Sequence, residues 1–207
     1  MTERKHGVPS PPTETSIISA DWDSREVAGE SFHRVLFQDV DMTELVDRGS
    51  TFEECAFVNV RFNVSVHEDA RFLTCTFRGC SFFDATFTGC KLTGSVFEGC
   101  TYGLLKAEGG DWSYVGLPGA DLRGSLFQGV RLREADLSGA RLAGARVRRC
   151  DLSGAWLRGA GLADCDLRGS DLSALDPRTV TLKGTVIDPV QAAIVAEALG
   201  FDVRAPS

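Results

Sequence analysis

Apolar residues recur along this chain at every fifth position, in one register that runs from Trp22 to Ile187 without a slip. Of the 34 positions in that frame, 11 are Phe and 12 are Leu; Trp22, Val27, Met42, Tyr102, Trp112, Val147 and Ile187 also fit, and only Asp47, His67, Ala107 and Pro177 depart. A period of five suits neither regular element. On an α-helix it scatters successive side chains around the axis, and on a flat strand it sends them to alternate faces. A chain that turns a corner once per unit brings every centre onto a common axis.

Two further columns support that geometry. Two residues before each centre, 29 of 34 positions are Ala, Ser, Cys, Val, Thr or Gly, so large and small inward residues alternate and each layer can close tightly. Two residues after each centre fall 16 of the chain's 22 glycines, where a bend asks for positive φ. Four corners make a coil of about 20 residues, and coils stack at about 4.8 Å through shared backbone hydrogen bonds. The frame predicts an all-β solenoid over residues 20–187, about eight coils long, with no inserted loops. The proline-rich, polar residues 1–19 read as a mobile tail.

The period ends at Asp188. In "DPVQAAIVAEALGF" Asp188 suits a helix N-cap, Pro189 the first helical turn and Gly200 the stop. Val190, Ile194, Leu199, Phe201 and Val203 offer this C-terminal segment, 188–207, an apolar stripe, fit to seal the rod or to join two copies.

"ADLRG" (120–124), "ADLSG" (135–139), "CDLSG" (150–154) and "CDLRG" (165–169) resemble the pentapeptide-repeat family consensus, A(D/N)LXX. The resemblance implies a right-handed quadrilateral β-helix. With the terminal helix it is strongest to the family's mycobacterial fluoroquinolone-resistance members. Those imply a cytoplasmic homodimer, joined through that helix, that mimics DNA, binds DNA gyrase and protects it from quinolones or other poisons, in antibiotic resistance or self-immunity. The alternative is a non-catalytic scaffold for a different protein partner.

Charge changes the picture in one respect. The chain carries a net charge of −7, which disfavours direct nucleic-acid binding. Residues 21–120 hold 16 acids against 8 bases, whereas 121–190 hold 9 against 11. Mimicry therefore points to the acidic half, with Asp21, Asp23, Asp39, Asp41, Glu44, Glu53, Glu54 and Asp84 as candidate contacts, and Asp121 and Asp164 beyond. Arg146, Arg148 and Arg149 depart from a uniformly acidic mimic.

No catalytic, cofactor or metal site is expected. The seven cysteines all occupy the small inward column, where Cys packs interchangeably with Ala and Ser. Asp47 and His67, one coil apart with Ser65 nearby, read as a buried polar pair, unless the coil shifts to bury Val46 and Val66 instead. No apolar run is long enough to span a membrane or to serve as a secretory signal. Residues 101–119 are the weakest stretch of the repeat, read as tolerated degeneracy or as a kink. Phe83, Tyr114 and Trp156 fall at outward positions.

Overall fold

The computed structural model describes Gly7 and residues 9–204. The chain winds as a four-sided parallel β-solenoid with a register of 20 residues, and each side is named here for its first inward residue. The Ile17 face carries five strands, from Thr15–Ile18 through Val35–Gln38, Ala56–Val58 and Thr76–Arg78 to Val96–Glu98. The Val27 face carries seven, from Glu26–Ala28 to Arg146–Arg148, and single bridges continue its register to Val186. The Phe32 face has three strands, and the Trp22 face has none. Its coils join through single bridges such as Asp21↔Asp41↔Arg61↔Ser81 and through corner bonds such as that from the Ser24 amide to the Thr43 carbonyl (2.8 Å).

Every frame position from Phe37 to Leu172 is buried. Rings in successive coils stack nearly parallel, as in Phe37 on Phe57 (4.9 Å, 7°), Phe57 on Phe77 (4.8 Å, 7°) and Phe52 on Phe72 (4.7 Å, 3°). Such ladders add attraction beyond simple area burial. The unbroken frame does exclude inserted loops, and the weak stretch 101–119 stays in register. There Ala107 gives up volume at a centre, while Leu105 fills the small column two residues earlier, and both are buried.

The start differs from expectation. Thr15–Ile18 is a strand paired with Val35–Gln38, so the solenoid begins ahead of residue 20. The extra strand places Ile17 in the five-residue frame below Phe37, an apolar position that the frame's first reading at Trp22 left out.

The corners explain why one face lacks strands. On the Trp22 face each unit closes a β-turn: the amide three residues past the centre donates to the centre's carbonyl, as Leu45 does to Met42 (3.3 Å) and Ala85 to Phe82 (3.2 Å). The residue before the centre reinforces several of these turns. Asp41 Oδ1 accepts the Thr43 amide at 3.0 Å, and Asp21 accepts that of Asp23 at 3.1 Å. The aspartate of the "ADL" motif is thus a local clamp that draws the backbone out of extended geometry.

Strand units lack that turn bond, and eight of their centre carbonyls find another donor 23 residues on, whereas Val60, Ala70, Gly110 and Ala120 offer none to Phe37, Asp47, Phe87 and Phe97. Cys55, Cys75, Cys80, Cys90, Cys100 and Cys150 donate their thiols to the carbonyls of Phe32, Phe52, Phe57, His67, Phe77 and Phe127. Ser95 and Ser170 do the same for Phe72 and Val147, both at 2.8 Å. At those eight positions cysteine or serine is therefore not interchangeable with alanine, because it gives a buried carbonyl a partner, whereas Ser65, Ser125 and Cys165 stand above turn units. Leu162 is an exception, accepting both the Cys165 amide and the Thr185 hydroxyl.

The chain ends in a helix, Pro189–Ala198, capped by Asp188 and Gln191 in a reciprocal box. Gln191 is 3 % exposed and plugs the rod. Its Nε2 donates to the carbonyls of Leu167 and Ser170, both at 2.7 Å, at the open end of the last coil. No helix among the described residues is long and apolar enough to cross a membrane.

Candidate functional site

The acidic residues picked out by sequence divide into two groups. Asp41, Glu54, Asp84 and Asp121 are ion-paired within the rod: Asp41 with Arg61 (2.5 Å), Glu54 with Arg34 (3.8 Å), Asp84 with Lys106 (2.6 Å), and Asp121 with Arg123 (2.7 Å) and Arg141 (2.9 Å). The Arg61 guanidinium is the main reason that the Asp41 carboxyl is pulled down to about 2. Asp21, Asp23, Asp39, Glu44, Glu53 and Asp164 make no ion pair among the described residues.

Five of the ten candidates share a backbone feature that composition does not display. Asp39, Glu44, Glu54, Asp84 and Asp164 occupy the corner two residues past a centre, with φ between 53° and 56°. Glycine fills about half of those corners and residues such as Asn59, Val64 and Tyr114 some of the rest, and a side chain held there costs roughly 1–2 kcal/mol. Each non-glycine corner projects its side chain outward at the edge of the rod.

Together these placements build one acidic knob at the start of the Trp22 face. Asp21 and Asp41 are bridge partners, the Ser24 hydroxyl contacts Glu44 at 3.5 Å, and Asp39 sits at the adjoining corner, held by Asn59 at 3.1 Å. Arg61 is the cation paired inside this group, and Asp21 and Asp23 also act on it at longer range. Glu53 lies apart on the Phe32 face, and Asp84, Asp121 and Asp164 lie farther along the rod. The other half carries the basic counterpart, although Arg148 and Arg168 are both drawn onto Asp166.

The inward polar residues form a sealed trio with no coil shift. Asp47 and Ser65 are 0 % exposed and His67 is 1 %, while Val46 and Val66 stay half-buried on the outside. Ser65 Oγ donates to the Phe62 carbonyl at 2.8 Å, so it accepts from His67 Nε2 at 3.1 Å. The other ring nitrogen, Nδ1, faces Asp47 Oδ2 at 3.3 Å, and Asp47 Oδ1 accepts the Ser50 amide at 3.2 Å. The imidazole also continues the ring ladder, 4.8 Å from Phe87. Packing leaves no path for a substrate to this serine.

All seven cysteines are free thiols, with Cys100 half-buried and the others buried. Burial pushes the thiol of Cys90 up to about 12 and that of Cys150 to about 11. No cluster among the described residues could hold a metal ion.

At the far end, the expected apolar stripe is mostly outward, but only Val190 and Ile194 lie in the helix; Leu199, Phe201 and Val203 follow its last turn. Val190 (75 %), Phe201 (66 %), Leu199 (50 %) and Val203 (45 %) are exposed, and Ile194 is half-buried. Gln191 and Val195 face the rod instead.

A square solenoid of five-residue units, with small residues two before each inward centre and left-handed corners two after it, defines the pentapeptide-repeat class. The family profile for pentapeptide repeats matches eight copies across residues 68–100, 117–154 and 135–173, and the chain belongs to that family. A trypsin-treated form of QnrB1, a plasmid-mediated fluoroquinolone resistance protein, is similar over 93 % of this chain and 99 % of its own, with a TM-score of 0.57 at 19 % identity. HetL, a pentapeptide-repeat protein involved in heterocyst differentiation regulation in Nostoc sp. strain PCC 7120, covers 84 % of this chain and 86 % of its own, with a TM-score of 0.53 at 18 % identity. No curated protein matches the chain in sequence.

Proposed function

We propose that this protein is a DNA mimic that binds a type II topoisomerase, DNA gyrase, and protects it from quinolones or other poisons. The acidic knob at the amino-terminal end of the Trp22 face carries this reading. Asp21, Asp23, Asp39 and Glu44 hold their charge outward on a narrow rod with no ion pair of their own, suited to meet a basic surface that ordinarily receives phosphates. The likeness of the fold to QnrB1 supports the same direction. In a dimer joined through the exposed helix stripe the two knobs lie at the outer tips, and the arginine-bearing halves flank the centre. No catalytic step is part of the proposal.

The test is inhibition of gyrase supercoiling by purified protein, compared with the Asp23→Lys/Glu44→Lys double variant. The expected result is salt-sensitive inhibition that weakens about tenfold or more on charge reversal. Inhibition indifferent to the reversal overturns the assignment of the knob. No inhibition by the unaltered protein favours the alternative, a scaffold with another protein partner.

A further inference from the structure

The amino-terminal segment does not leave the rod at its first strand. The Glu14 amide donates to the Arg34 carbonyl at 2.7 Å, Arg34 Nε donates to the Pro12 carbonyl at 3.1 Å, and the Arg34 guanidinium pairs with Glu14 at 2.5 Å. Farther along, the Ser10 amide and hydroxyl both reach Thr76 Oγ1, at 2.8 and 3.1 Å. Gly7 then lies so close to the rod that a Cβ built on it would stand 2.5 Å from Val96 Cγ2 and 3.3 Å from the Gly116 amide. The segment crosses successive coils lengthwise over the Ile17 face, whereas coils of a solenoid otherwise touch only their neighbours.

The surface beneath it has the character of a groove. The outward positions just before each centre are Leu36, Ala56, Thr76, Val96 and Gly116, small or apolar, where the same register on the Val27 face carries Lys106 and Arg146; the column just after each centre carries the polar Gln38, Arg78 and Glu98 and edges the strip. Thr76 is only 6 % exposed, yet the threonines at the same register elsewhere, Thr51, Thr86, Thr101 and Thr181, are half-buried or exposed. Residues 9–12 read Pro-Ser-Pro-Pro, which favours an extended backbone that loses little entropy on docking.

We propose that the strip from Leu36 to Gly116 is a docking groove for an extended, proline-bearing protein segment, and that the chain's own Gly7 and Pro9–Glu14 fill it as a ligand in cis. A partner segment of the same chemistry binds by displacing this strap. The groove lies on a different face from the acidic knob, and the proposal does not depend on gyrase.

Two measurements on the full chain test it. Hydrogen exchange at the Ser10 amide is slowed at least about tenfold relative to an unstructured peptide, and Thr76→Val, which removes the acceptor, abolishes that protection. Exchange at the free-peptide rate in the unaltered protein, or no effect of Thr76→Val, overturns the proposal. Gly7→Leu forces a side chain against Val96 and lifts the end of the strap without altering the groove. A labelled synthetic peptide with the sequence of residues 7–16 then binds this variant saturably, and the unaltered chain at least about tenfold more weakly. Absent binding to Gly7→Leu, or equal binding to both proteins, overturns it.

Discussion

Asp41 and Arg61 sit one coil apart and share an ion pair at 2.5 Å, while the second oxygen of Asp41 closes a turn on Thr43. One carboxylate thus ties two coils and fixes a corner. Asp111, Asp121 and Asp166 combine similar bonds, Asp171 and Asp176 keep only the local one, and all five have carboxyls held below their ordinary range. The lowered values in the folded state mean that the unfolded chain takes up protons first as pH falls. Stability is then full above about pH 4 and drains away toward about pH 2. Thermal midpoints measured between those limits will show the fall, and Asp41→Asn will remove part of it.

The trio inside the rod makes a second prediction. His67→Phe preserves the ring ladder but leaves Asp47 buried beside an apolar ring, and it should lower stability by about 3 kcal/mol. Adding Asp47→Leu removes the stranded carboxyl and should recover most of that loss. Urea denaturation of the single and double variants provides the comparison; equal stability of the two would contradict the buried pairing described for these residues.

Serines in the small column should differ by what lies beneath them. Ser95 donates to the Phe72 carbonyl, so Ser95→Ala should cost about 1 kcal/mol. Ser125 stands above Tyr102, whose carbonyl already accepts the Leu105 amide, and its buried hydroxyl has no partner. Ser125→Ala should be neutral or stabilising by about 1 kcal/mol. The same denaturation assay reads both, and opposite signs are the expected result.

The outward stripe of the terminal helix gives a fourth. If it joins two copies, Val190→Glu/Phe201→Glu will convert a dimer to a monomer by light scattering, with the circular dichroism of the rod unchanged. A monomeric unaltered protein would remove the dimer from the proposed function.

Much of the architecture was legible because a fixed period dictates side-chain direction. The inward centres from Phe37 to Leu172 followed from their place in the frame, apart from Asp47 and His67, which a coil shift could have moved, and the Asp188 cap followed from its residue type ahead of Pro189. Direction says nothing about which carbonyl lacks a donor, so the thiol bonds, the Gln191 plug and the Asp41 clamp were invisible. Gln191 carried a faint signal, being three residues past Asp188 in a capping-box spacing, yet its contact with Leu167 depends on where the last coil stops. The acidic site was legible only as composition. Arg61 and Arg141 neutralise Asp41 and Asp121 across 20 residues, and that distance becomes adjacency only once the coil closes. The strap was missed because its polar, proline-rich residues form no period of their own.

The bond from certain small-column cysteines and serines to a carbonyl 23 positions earlier also limits how such a chain can lengthen or shorten. Excising residues 81–100 would keep every fifth residue inward, yet it would bring Gly110, Val115 and Ala120 to the places of Cys90, Ser95 and Cys100. The carbonyls of His67, Phe72 and Phe77 would then lose their donors together. Recombination between coils that looks silent in the leucine and phenylalanine pattern is therefore not silent in the backbone, and each coil is matched to the one on which it was laid.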